Sequence, residues 1–428
     1  METSIRIGSL TAIDHRIEVP LDHGRPDGER IEIYARELIA PGGAERPRLL
    51  YLEGGPGGRG PRPAPPMGWM ERALRDYRVV LLDQRGTGLS HPLNRRSLAR
   101  LGKLEAQAAH LAHFRADAIV EDAELLRHHL QGDEPWSVLG QSFGGFCAVS
   151  YLSRHPEGLR EVMLTGGLPS IDASPEEVYR ALYPGVIRRN RRYFERFPGD
   201  QEVASRIAAH LLEHDVRLPD SSPLTVQRFQ CLGMELGSQW GADQLHLLLE
   251  DAFCPGSSGD EIADSFLGAL YQRFSFASRP LYAILHEACW CHGGASNWAA
   301  QRVRSEFPEF DFQPGGELRF TGEMIYPWMF RVDPALAPLA EAAELLAAKP
   351  DWPELYDRAA LAANTVPAAA LVYFDDLYVN RDLSLRTAEG VSGLELWVTN
   401  EYQHDGLRQA AVLDRLLGMV QGRSSPTR

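Results

Sequence analysis

VLGQSFGGFCAVSYLSRHP, residues 138–156, starts as an apolar run, tightens around glycines and continues with helical spacing. Ser142 stands in the tight part, in Gly140-Gln141-Ser142-Phe143-Gly144, which satisfies G-x-S-x-G. In that motif a serine sits on a sharp strand-to-helix turn with its hydroxyl exposed. Its backbone is strained, and its neighbours must be small so that helix and strand can approach. Gly145 adds room on the helix side. An ordinary serine in an ordinary loop satisfies the same letters, so the rest of the chain has to decide.

Working outward, RLLYLEGG (48–55), RVVLLDQRG (78–86), WSVLGQS (136–142) and EVMLTGG (161–167) are short apolar runs bounded by polar or turn residues. Such runs predict strands buried on both faces of a parallel sheet. RADAIVEDAELLRHHL (115–130) has helical period, and alternating strands and helices predict an α/β class with a mostly parallel, doubly wound sheet. The first 45 residues read as short strands with turns. From about Ser170 to Asn364 the pattern turns helical, including the alanine-rich stretch at 335–350. VPAAALVYFDD (366–376) and GLELWVTNEYQHDGLR (393–408) restore the strand pattern. The expected organisation is a core in two parts, 1–169 and 366–428, interrupted by a helical cap at 170–365 over the sheet's carboxyl edge.

Ligands of open α/β sheets bind outside the carboxyl ends of the strands. Ser142 lies there, and a serine hydroxyl needs a base within hydrogen-bonding reach. His404 follows the strand LELWVT, and no other histidine lies beyond residue 292. An acid is expected between them in chain order, and LVYFDDLYV offers Asp375 and Asp376 at a strand end. A paired Asp-Asp also suits a turn or helix cap, but serine, acid and histidine in order, each after a strand, favour a catalytic triad. Oxyanion donors are expected from the backbone N–H of Phe143 and of Gly55, in YLEGGPGG (51–58). Gly55, Gly57 and Gly60 also form G-x-G-x-x-G, with Asp83 ending the next strand. PRPAPP (61–66) follows, however, and its prolines deny a dinucleotide the helix N-terminus it needs. No cofactor is expected.

Composition narrows the class further. The 428 residues carry 58 acidic and 44 basic side chains, a net charge of -14 that disfavours nucleic acid. The densest basic run, RRNRRYFER (188–196), reads as a solvated helix face. No apolar run reaches the roughly 20 residues of a membrane span, and the first twenty residues lack a signal-peptide core. Five scattered cysteines fit a reducing compartment, so a cytoplasmic enzyme is expected. HEACWCHGG (286–294) gathers His286, Glu287, Cys289, Cys291 and His292, but Trp290 occupies the place of a second zinc histidine. Free cysteines in a packed helix are expected there, and no metal.

EGGPGG, LLDQRGTGLS, GQSFGG and TNEYQHDGLR together resemble the proline iminopeptidases, α/β-hydrolases with a helical cap. LYAILHEACW (281–290) and FTGEMIYPWMF (320–330) are similar to cap motifs of the larger subgroup, and the likeness runs from about Ile17 to the end. The resemblance implies release of an N-terminal proline from a peptide or arylamide through an acyl-enzyme on Ser142. It favours Asp376 as the acid, because Leu377 follows it. It also implies that cap glutamates, Glu287 first and Glu323 second, bind the protonated imino group. A structural glutamate is the alternative for each. Glu53 stands where many members of the wider fold have histidine. The rival readings are an aminopeptidase, arylamidase or esterase of broader specificity and, in another class, a catalytically silent binding protein. The sequence leaves the oligomeric state and the accepted peptide length open.

Overall fold

The apolar runs pair into one sheet because alternate residues of each find an apolar layer on opposite faces. The computed structural model describes residues 3–62, 65–254 and 261–422. Its strands are β1 (Thr3–Ile7), β2 (Leu10–Pro20), β3 (Arg30–Ile39), β4 (Arg48–Leu52), β5 (Arg78–Leu82), β6 (Trp136–Gln141), β7 (Leu159–Thr165), β8 (Ala368–Tyr373) and β9 (Leu394–Thr399). They lie in the order β1-β2-β3-β5-β4-β6-β7-β8-β9. The first pairings, through β3 with β5, are antiparallel, and all later ones are parallel. The amino-terminal strands are longer than their sequence pattern suggests: β2 and β3 pair from Thr11↔Ile39 to Pro20↔Arg30.

Leu50, Leu52, Val138 and Val162 face one apolar layer, whereas Leu49, Tyr51, Leu139 and Met163 face the other. The first layer is covered by helices α1 (Ala116–Gln131) and α2 (Phe143–Arg154). Between β7 and β8 the chain leaves the sheet through helix α3 (Pro175–Arg196) and a series of short helices, among them α4 (Ala299–Arg304). Ser174 and Glu177 form a reciprocal cap at the start of α3, with Pro175 in its first turn. Among the described residues this insertion holds isolated bridges but no strand. Helix α5 (Arg381–Glu389) joins β8 to β9, and α6 (Ala410–Val420) covers the second layer.

Cap and core share one continuous apolar cluster. Phe146 on α2 meets Trp290 of the insertion edge-on, with ring centroids 4.7 Å apart. The segment around Trp290 departs from the expected single helix. A helix over Pro280–Leu285 gives way at His286 to a 3-10 turn, Glu287–Trp290, which leaves Cys289 and Cys291 buried. In the proline stretch at 61–66, Pro63 and Ala64 lie outside the described residues. No helix among the described residues is long and apolar enough to cross a membrane.

Candidate active site

β4, β6, β7, β8 and β9 all end at the same edge of the sheet, and the chemically useful side chains follow them directly. Ser142 comes after β6 and precedes α2, with φ 53° and ψ -124°, a conformation that L-residues rarely adopt. The surroundings hold it there. Its N–H donates to the Thr165 carbonyl (3.0 Å), and its carbonyl accepts from the Gly145 N–H (2.7 Å). Only glycine fits at 144, because a Cβ there would stand 1.9 Å from the Leu52 carbonyl oxygen. The chain thereby brings the end of β4 against the turn that carries the serine.

His404 lies in the loop after β9 and is buried. Its Nδ1 is 2.8 Å from Asp376 Oδ2, so Nδ1–H donates to the carboxylate and Nε2 is left as the basic atom. Asp376 follows β8, and its Oδ1 accepts the N–H groups of Tyr378 (2.8 Å) and Val379 (3.2 Å). Asp375 turns outward to Arg192 (2.7 Å). Burial lowers the proton affinity of His404, but the charge of Asp376 and its hydrogen bond outweigh burial, so the pKa stands above the usual histidine value. The Gly166–Gly167 turn after β7 joins serine and histidine. A Cβ on Gly166 would meet His404 Nδ1 at 3.0 Å, and one on Gly167 would meet the Ser142 carbonyl at 2.2 Å.

The loop after β4 packs on the other side of the serine, where a Cβ on Gly54 would lie 3.1 Å from that of Ser142. Glu53 anchors this loop: its Oε1 accepts the Gly54 N–H (2.9 Å) and the Tyr51 hydroxyl (3.3 Å), and its carbonyl accepts from Gln84 (2.8 Å). Burial pushes the Glu53 carboxyl up. Gly55 is next along the loop, and Phe143 opens α2, where a first-turn N–H has no partner within the helix.

The two cap glutamates have different surroundings. Glu287 is buried and accepts the N–H groups of Ala299 (3.1 Å) and Ala300 (2.8 Å) at the start of α4. Burial drives its pKa up to about 7, against the pull of the Ala300, Ser296 and Ala299 hydrogen bonds and the Arg302 charge. Glu323 is half-buried, accepts from the Tyr282 hydroxyl (2.6 Å), and acts electrostatically on His404. A Cβ on Gly57, in the loop after β4, would lie 2.9 Å from the Tyr282 backbone nitrogen. Tyr282 lines a cavity of mixed character, apolar at Met234, Phe274 and Trp328 and charged at Arg228 and Asp333. The Cys289 and Cys291 thiols donate to the Leu285 and Glu287 carbonyls.

An alpha/beta hydrolase fold family matches residues 47–244. A proline iminopeptidase of Aeromonas sobria is 50% identical over 408 residues, covering 94% of this chain and 95% of its own. The chain belongs to the proline iminopeptidase family. A second relative, a proline iminopeptidase of Aspergillus aculeatus, is 37% identical over 97% of this chain and 95% of its own. Among solved structures, that of Rv0554 from Mycobacterium tuberculosis covers 96% of this chain and 100% of its own at 15% identity, with a TM-score of 0.45.

Sequence reasoning missed several residues of this site. Tyr282 and Tyr378 lie within quoted stretches that assign them no role, yet Tyr282 holds Glu323 and Tyr378 packs edge-on against His404 with centroids 4.6 Å apart. The basic run 188–196 is only partly a solvated face. Arg188, Arg191, Arg192, Glu195 and Arg196 are exposed, but Asn190 and Tyr193 are buried and Arg189 reaches inward to the loops behind the histidine. The i, i+3, i+4 spacing of Asn190, Tyr193 and Phe194 is the sequence signal for an inward face, masked by the number of arginines.

Proposed function

We propose that this chain is a serine aminopeptidase that releases proline from the free N-terminus of peptides, with Ser142, Asp376 and His404 as its catalytic triad. What supports this reading is the Asp376–His404 hydrogen bond, together with a serine held at positive φ whose backbone packs on the same Gly166–Gly167 turn as the histidine. The close relatives named above support the substrate class.

In the proposed reaction Ser142 Oγ attacks the carbonyl carbon of the N-terminal proline while His404 Nε2 takes its proton. Asp376 stabilises the imidazolium through Nδ1–H. The N–H groups of Phe143 and Gly55 donate to the developing oxyanion. His404 then protonates the departing peptide amine as the C–N bond breaks, and water, activated by the same imidazole, releases proline from the acyl-enzyme. Amine recognition falls to Glu323 in this reading. Its carboxylate is half-buried and within the field of His404, whereas both oxygens of Glu287 are occupied by the start of α4. Glu287 would then support the cap instead of binding substrate.

The test is a panel of arylamides of proline, alanine, leucine and N-acetylproline. Turnover of free prolyl arylamide well above the others is expected. Equal turnover of the acetylated substrate would remove the exopeptidase reading and leave an esterase or general amidase.

A further inference from the structure

We propose that Arg189, on the cap helix α3, is a positioning residue that clamps the acid loop and the histidine loop together and so couples the cap to catalysis. The inference rests on the triad reading above. Arg189 Nη2 donates to the Asp375 carbonyl (3.0 Å) and to Gln403 Oε1 (2.8 Å), and Nη1 donates to the Leu236 carbonyl (3.0 Å). Asp375 precedes the acid Asp376 and Gln403 precedes the base His404, so one guanidinium holds the residue before each member of the dyad. Leu236 belongs to the cap's 3-10 segment Cys231–Gly237, which itself grips the same loops. The Gly237 carbonyl accepts the His404 N–H (3.2 Å), Gln239 Oε1 accepts the Gln403 N–H (3.2 Å), and the Met234 carbonyl accepts from Tyr378.

The chemistry suits an arginine. A planar fork with fixed N–H directions satisfies several acceptors at once, and a lysine in its place would be a single point charge. No carboxylate oxygen is among these three acceptors, so the hydrogen bonds fix geometry, while the Arg189 charge also acts at a distance on Asp375 and Asp376. Arg192, one turn further along α3, makes the contrasting contact: an exposed ion pair with the Asp375 carboxylate, which is worth little. The imidazole must keep Nδ1 on Asp376 while Nε2 faces the serine, and its two loops come from different strands. A misplacement of about 1 Å at such a site costs about 100-fold in rate.

Arg189→Met, Gln403→Ala, their combination and the control Arg192→Met are compared for kcat and KM on prolyl arylamide. They are also compared for the rate at which a fluorophosphonate labels Ser142. Arg189→Met is expected to lower both kcat and labelling by about 10–100-fold with KM within about threefold. Gln403→Ala is expected to lose a smaller factor, and the double variant to be no worse than Arg189→Met alone, as for residues acting in one contact. Arg192→Met should match the wild type. A folded Arg189→Met protein with a lower melting temperature but wild-type kcat and labelling would make the residue merely structural and overturn the proposal. An equal loss in Arg192→Met would overturn it too, since the effect would then be one of charge. If Arg189→Met does not fold, wild-type labelling in Gln403→Ala overturns it and slowed labelling supports it. Labelling needs no prolyl substrate, so a wild type that labels but does not cleave prolyl arylamide fails the aminopeptidase reading and still tests the clamp.

Discussion

At the scale of single residues, two adjacent acids have different surroundings and should do different work. Asp376→Asn should lower kcat by about 10⁴-fold, because the imidazole loses both its orienting acceptor and the charge that stabilises its protonated form. Asp375→Asn removes an exposed pair with Arg192 and should leave kcat near the wild type. The pH profile follows from the same contact. His404 must be neutral to accept the serine proton, and its pKa is raised above 6.5, so kcat/KM should fall as pH drops through a midpoint above that value. A midpoint below 6.5 in the wild type would mean that burial prevails over Asp376. Ser142, the Asp-Asp pair and His404 are legible in sequence because each follows an apolar run and the order is fixed by the fold. The choice between Asp375 and Asp376 is not, since two neighbouring carboxylates differ only in which way the loop turns them. Arg189 is hidden for a related reason: its partners lie 47, 186 and 214 positions away.

At the scale of elements, function depends on how closely the elements approach. Gly144→Ala would force a methyl group against the Leu52 carbonyl, and should destabilise the fold by about 1–3 kcal/mol, read as a lower denaturant midpoint with unchanged slope. The two glutamates separate in the same way. Glu287→Ala strips two acceptors from the start of α4 and should lower stability by about 0.5–2 kcal/mol with KM little changed. Glu323→Gln should raise KM for free prolyl arylamide by about tenfold or more while stability stays near that of the wild type. The opposite pattern would return amine binding to Glu287. Strand positions are readable from apolar runs, and the helical character of the insertion from its period. The break at His286 is not, because a helix and a helix followed by a 3-10 turn share nearly the same apolar spacing.

At the scale of the whole molecule, the chain folds its core from two distant segments. β7 and β8 pair in register from Val162↔Ala368 to Thr165↔Leu371 across the entire insertion. Apolar packing is continuous from the sheet into the cap, and the cap's backbone supports the histidine loop. Cap and core should therefore unfold in one cooperative calorimetric transition, coincident with loss of activity. Two resolved transitions, with activity lost in the first, would show instead that the cap melts alone. In the proposed reaction Ser142 carries the acyl group of an N-terminal proline. The most direct test is the C-terminal amino acid released from a prolyl dipeptide and from its N-acetyl derivative, by the wild type and by Ser142→Ala. Rapid release is expected from the unblocked peptide by the wild type, little from the acetylated one, and about 10⁶-fold slower release by the variant. Release from the unblocked peptide by Ser142→Ala at the wild-type rate would contradict that role.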